Sequence, residues 1–156
     1  NEGEDPAPQL DPDDPNSLLS APDFQLTALD GSTVKLEDLK DKVVVLFFFG
    51  NSCPSCRAVA PNIEKELNEP YAGRSDYVII GLDQWDGNSN SVMSFKDITM
   101  ISFPLLLNAS AVARAYDTTY DRLLVIDKEG KIALKGRRGA SNDVSIIKSK
   151  VDELLN

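Results

Sequence analysis

The chain has 156 residues, with 25 acids against 16 bases, no histidine and a formal charge of −9 at pH 7. That length suits one domain with a real core. No apolar stretch approaches the roughly 18 residues of a membrane-spanning helix, and the acidic balance gives no footing to nucleic-acid binding. The charge is unevenly spread: the first 34 residues hold eight acids and no Lys or Arg, leaving seventeen acids and sixteen bases, a net of −1, for the rest.

Residues 1–20 read as a disordered tail. Pro6, Pro8, Pro12 and Pro15 alternate with carboxylates, and such a segment buries too little apolar surface to offset the entropy of ordering. It begins at Asn1 and not at Met, so an upstream segment is expected to have been removed. A tail of this kind suits a spacer to a membrane tether or a cleaved signal peptide. Residues 21–156 are expected to form the folded domain.

From Ala21 the elements follow in order. Phe24–Leu26 and Thr33–Lys35 flank Asp30-Gly31, the signature of a β-hairpin. Leu36–Leu39 makes a short helical turn. Val43–Phe49 is an unbroken apolar run rich in β-branched and aromatic residues, which reads as a strand buried on both faces. Gly50-Asn51-Ser52 breaks it, and a helix is expected over Arg57–Leu67. Tyr77–Leu82 is a second buried strand. Ser89–Ile98 fits a helix capped by Asn88 or Ser89, Leu105–Leu107 a short extended piece, and Ser110–Tyr116 a further helix. Leu123–Asp127 and Lys131–Leu134 form a hairpin turning at Glu129-Gly130. A final amphipathic helix, capped near Ser141 or Asn142, carries Val144, Ile147, Val151, Leu154 and Leu155 on one stripe. The sum is an α/β domain with a central mixed sheet and helices on both faces.

The only two cysteines form Cys53-Pro54-Ser55-Cys56, between the first buried strand and its helix. The first turn of a helix presents unpaired N–H groups and a partial positive charge. Such a setting favours a thiolate at Cys53, the nucleophile of disulfide exchange. A zinc site needs four ligands, or three and a water, and this chain offers neither histidine nor a third cysteine. The missing imidazole also argues against copper delivery. A bridge across so short a loop would constrain the unfolded chain very little. Redox chemistry is the reading the pair supports, with no metal and no organic cofactor required.

This order of elements around a C-x-x-C resembles the thioredoxin fold. More closely it resembles the TlpA/ResA-like redoxins, relatives of the AhpC/TSA peroxiredoxins. The resemblance runs from Ala21-Pro22-Asp23-Phe24 and Leu29-Asp30-Gly31 through Val43–Arg57 and Pro61 to Ala111–Tyr116 and Leu124–Ile132. It implies a thioredoxin-like fold with an N-terminal β-hairpin extension. It also implies Cys53 as the exposed attacking thiol, Cys56 as the shielded resolving one, and Pro61 as the residue that kinks the active-site helix. Three positions depart from the pattern. Ser52 stands where the family has a tryptophan, and Val59 where some members carry a glutamate. Asp121 stands where the family places a cis-proline, six residues before Asp127. A non-proline cis bond is costly, so the loop Tyr120-Asp121-Arg122 is expected to be trans.

The resemblance implies a thiol–disulfide oxidoreductase acting outside the cytoplasm, in the periplasm or on a membrane anchor facing outward. It would act as a monomer on protein thiols and disulfides, served by an upstream redox partner. Ser52, Pro54 and Ser55 would complete the active-site loop, and Tyr120, Asp121 and Arg122 the loop that meets substrate. Two alternatives stay open. Peroxiredoxins often place an arginine near Arg122, which keeps a thiol peroxidase in view. A thioredoxin-fold binding module without redox turnover is the other. Trp85 either lines a substrate groove or packs half-buried, and Lys131, Lys135, Arg137 and Arg138 read as a solvated basic face.

Overall fold

A computed structural model describes residues 18–156. The expected tail at residues 1–20 therefore lies largely outside the described residues. Backbone pairing begins at Leu19, whose carbonyl accepts from Ile132 N–H at 2.8 Å, and Ser20 bridges Lys131.

The first hairpin consists of β1 (Gln25–Thr27) and β2 (Thr33–Lys35). Its turn is shaped by Gly31 at φ +91° and by Asp30, whose carboxylate accepts from the Ser32 N–H at 2.9 Å. Only glycine adopts that φ without strain. The hairpin leans on the edge of the main sheet, where Leu107 N–H donates to Thr27 and Leu29 N–H to Leu105.

The main sheet has five strands: β3 (Val43–Phe49), β4 (Tyr77–Asp83), β5 (Leu105–Leu106), β6 (Arg122–Ile126) and β7 (Ile132–Lys135), in the order β5-β4-β3-β6-β7. β3, β4 and β5 run parallel, whereas β6 and β7 are antiparallel to their neighbours. β3 is central and wholly buried, as its composition predicts. Its pleat sends alternate residues to opposite faces. Val43, Val45, Phe47 and Phe49 meet α1 (Pro54–Ile63), α2 (Ser89–Thr99) and α4 (Ala140–Leu155); Val44, Leu46 and Phe48 meet Phe24, Tyr116 and α3 (Ser110–Ala115). Phe49 pairs with Asp83, and Phe48 with Arg122. The ends of β3 and β4 and the start of β6 therefore converge at one rim of the sheet.

Two helix starts differ from expectation. α1 begins at Pro54, three residues before the predicted Arg57, because Cys53 serves as its cap and proline fits the first helical position. α4 begins at Ala140, ahead of Ser141 and Asn142, because its cap is supplied from elsewhere: the Asp121 carboxylate accepts from Ala140 N–H at 2.8 Å. Pro61 lies inside α1, and beyond it the hydrogen-bond ladder widens over Glu64–Asn68, where Glu69 N–H reaches back to Glu64 O. Proline has no N–H to offer the preceding turn.

Candidate active site

β3 delivers the loop Gly50–Ser52 to the rim, and α1 starts at once. Cys53 is the cap of α1: its sulfur accepts the Cys56 N–H at 3.2 Å and lies 3.2 Å from the Ser55 hydroxyl. Its own N–H donates to Gly50 O at 3.0 Å, and its carbonyl accepts from Arg57 N–H at 3.0 Å. Both thiols are free. One helical turn places Cys56 beneath Cys53, fully buried. Burial pushes its pKa well above the usual thiol range, and the Cys53 sulfur and the charge of Asp121 push it the same way.

Cys53 is not the open thiol that the resemblance implies. It is 2% exposed, because the capping role turns its sulfur inward toward the Cys56 N–H. Ser52, Pro54 and Ser55 surround it as exposed residues. Val59, at the position where some relatives carry a carboxylate, is buried in the core.

Among the described residues every peptide bond is trans, the bond at Tyr120-Asp121 included. Asp121 is 8% exposed and near enough to Cys56 for its charge to be felt there. Arg122 turns back on its own loop: its Nη1 donates to Asp121 O at 3.0 Å and lies 3.7 Å from the Asp121 carboxylate. Tyr120 meets Trp85 edge to face, with ring centroids 5.2 Å apart, and both rings are 39% exposed. The Trp85 ring lies against Gly50 so closely that a Cβ there would come within 2.3 Å of it. An indole thus covers the loop before Cys53 although Ser52 replaces the family's tryptophan. The basic face divides: Arg138 pairs with buried Asp143 at 2.6 Å and Lys135 with Asp117 at 3.8 Å.

Sequence reasoning missed Asp83. It is wholly buried at the end of β4, and its carboxylate accepts from Asn51 Nδ2 at 3.0 Å, Trp85 N–H at 3.1 Å and Gly87 N–H at 2.9 Å. It ties the loop before the cysteines to the loop after β4. A lone aspartate ending an apolar strand was the available signal, since a buried carboxylate must find hydrogen bonds.

The arrangement is a dithiol with one sulfur at a helix entrance and the other shielded behind it. Among the described residues no cluster of three His, Cys, Asp or Glu side chains could hold a metal ion. Comparison with known proteins agrees with this geometry. The thioredoxin-like protein YneN of Bacillus subtilis is 31% identical over 113 residues, which is 72% of this chain and 66% of that protein. The thiol-disulfide oxidoreductase ResA of Bacillus cereus is 32% identical, over 74% of this chain and 66% of its own. Both matches span just under two thirds of the curated relative. The solution structure of a candidate protein disulfide isomerase from Bacteroides thetaiotaomicron superposes with a TM-score of 0.79 at 32% identity, covering 88% of each chain. The AhpC/TSA family profile matches residues 19–135. With its thioredoxin-like sheet and its similarity to ResA, this chain belongs to the AhpC/TSA family.

Proposed function

We propose that the protein is a thiol–disulfide oxidoreductase that exchanges disulfides with protein thiols through Cys53 and Cys56. The observation that carries this is the asymmetry of the pair: the Cys53 sulfur receives an N–H of the first turn of α1, whereas Cys56 is sealed one turn deeper. That N–H and the partial positive charge of the helix entrance stabilise a sulfur anion. In the reductive direction the Cys53 thiolate attacks one sulfur of a substrate disulfide. The S–S bond breaks, the first substrate thiolate leaves, and a mixed disulfide forms. The Cys56 sulfur then attacks Cys53, its proton passing to the second leaving thiol. Two electrons reach the substrate and a Cys53–Cys56 disulfide remains. An upstream dithiol partner restores the reduced pair, and the reverse sequence oxidises.

Since Cys53 is almost covered, substrate approach requires the surrounding loop to yield slightly. Trp85 and Tyr120 form an apolar shelf beside it, and Asp121 and Arg122 complete the loop that would meet the substrate backbone. Kinship with the ResA type favours an extracytoplasmic setting, with residues 1–20 as an acidic spacer before the domain. The peroxidase alternative leaned on Arg122, but that guanidinium is held by the carbonyls of Tyr120 and Asp121.

Insulin reduction measured beside hydroperoxide consumption tests the assignment. Wild-type protein should reduce insulin and consume little peroxide, Cys53→Ser should lose exchange, and Cys56→Ser should accumulate mixed disulfides through Cys53. Peroxide consumption that survives Cys53→Ser and disappears with Cys56→Ser would reverse the assignment.

A further inference from the structure

Beside the cysteines lies a cleft of about 350 Å³ between the N-terminal ends of α1 and α2, lined by Asn51, Ser52, Asn88, Ser91 and Ser94 around Arg57. Its lining is neutral amides and hydroxyls except for Arg57, the residue directly after Cys56. Three other arginines have partners: Arg74 in Asp76 at 2.8 Å, Arg138 in Asp143 at 2.6 Å, and Arg122 in the Asp121 carbonyl at 3.0 Å. Arg57 differs. Its Nε is the one buried side-chain nitrogen or oxygen among the described residues without a hydrogen-bond partner. A buried donor of a charged group left unmade is costly, and such groups call for an explanation. No group of the described residues supplies that partner, although Arg57 lines the cleft.

Asp83, the carboxylate bonded to the lining residue Asn51, is wholly buried and already accepts from Asn51, Trp85 and Gly87. It therefore does not serve Arg57. A guanidinium presents its donors as a planar fork that matches a carboxylate, and the surrounding Asn and Ser groups can hydrogen-bond the second oxygen or the adjoining backbone. The position of the cleft sets where that carboxylate comes from. A mixed disulfide fixes the substrate cysteine to Cys53, and successive Cα atoms are about 3.8 Å apart. A side chain one or two residues from the substrate cysteine is thus within reach of Ser52 and the cleft it lines.

We propose that Arg57 and this cleft bind an acidic side chain, Asp or Glu, of the substrate polypeptide next to its reacting cysteine, and so determine which protein disulfides are chosen. The inference rests on the oxidoreductase reading. The domain beyond residue 34 has a net charge of −1, so selection comes from this contact and not from a long-range field.

The test uses the reduced full chain and three peptides, each holding one disulfide and differing only in the residue two positions from the reacting cysteine: Glu, Gln or Lys. The second-order rate of reduction should be about tenfold higher for Glu than for Gln, the scale of one charge-assisted bidentate contact, and lowest for Lys. Arg57→Gln should bring the Glu-to-Gln ratio close to one, and Arg57→Lys should keep part of it. Ser94→Asp, on the exposed face of α2, would place a carboxylate of the protein's own in the cleft and should erase the preference with Arg57 intact. Equal rates for Glu and Gln in the wild type, or a ratio that survives both Arg57→Gln and Ser94→Asp, would overturn the cleft's role alone. Failure to reduce any of the three peptides would instead overturn the oxidoreductase reading, and the inference with it.

Discussion

At Cys56 three influences act together: burial, the neighbouring Cys53 sulfur and the negative charge of Asp121 all hold the thiol protonated. In the proposed exchange the resolving step uses that sulfur as a nucleophile, so its rate should climb with pH through the neutral and mildly alkaline range. Asp121 is the one influence that can be removed without touching a cysteine. Its carboxylate also caps α4 at Ala140, and an asparagine oxygen can serve as acceptor in the same place. Asp121→Asn should therefore keep the helix start and shorten the lifetime of an acid-trapped Cys53 mixed disulfide about three- to fivefold, the effect of deleting one nearby charge. A longer lifetime would show that the carboxylate takes the Cys56 proton instead of opposing its loss. Asp121→Ala removes the cap as well and should cost about 1 kcal/mol of stability.

Between elements, the decisive tie is Asp83. Without its carboxylate the Asn51 amide and the Trp85 and Gly87 N–H groups lose their acceptor at once. Asp83→Ala should lower stability by about 2–4 kcal/mol in urea unfolding. It should also slow exchange, because the loops on either side of the cysteines would no longer be fixed to each other. Asp83→Asn, which keeps one acceptor, should fall between. A loss under about 0.5 kcal/mol for Asp83→Ala would mean that the loops hold without it. Most of the elements themselves were legible in the sequence. The seven-residue apolar run of β3, the Asp30-Gly31 turn and the Asn88 cap of α2 all depend on neighbours along the chain. What escaped depends on distant partners. The start of α4 is set by a carboxylate 19 residues upstream, and the inward turn of the Cys53 sulfur by a helix that begins earlier than periodicity indicates. The widened ladder after Pro61 and the seat of Trp85 on Gly50 are likewise matters of packing, which a pattern of hydropathy does not encode.

For the whole molecule, the buried titrating groups set a pH window. Burial raises the pKa of Cys56 above its ordinary 9.0, and burial also raises Tyr71, Tyr77 and Tyr116 above their ordinary 10.0. The folded state holds these protons more tightly than the unfolded chain, so their contribution is complete below about pH 9 and is lost as pH rises above it. On the acid side, hydrogen bonding to Arg74 lowers Asp76 below its ordinary 3.8. Glu64 is lowered below 4.5, the Ser102 N–H and hydroxyl outweighing its burial. Stability from these two is present above those values and lost below them. Reduced protein should therefore lose thermal stability from about pH 9, and oxidised protein, with no Cys56 proton to release, only from about pH 10. Coincident pH profiles for the two forms would exclude Cys56 as the source. The placement of Trp85 has a practical consequence of another kind. It is the only tryptophan of the chain, and its ring rests on Gly50, whose carbonyl is bonded to the Cys53 N–H. The protein thus carries a built-in optical probe beside the proposed redox pair. Its intrinsic emission should shift when the Cys53–Cys56 bond is made or broken, with no dye needed.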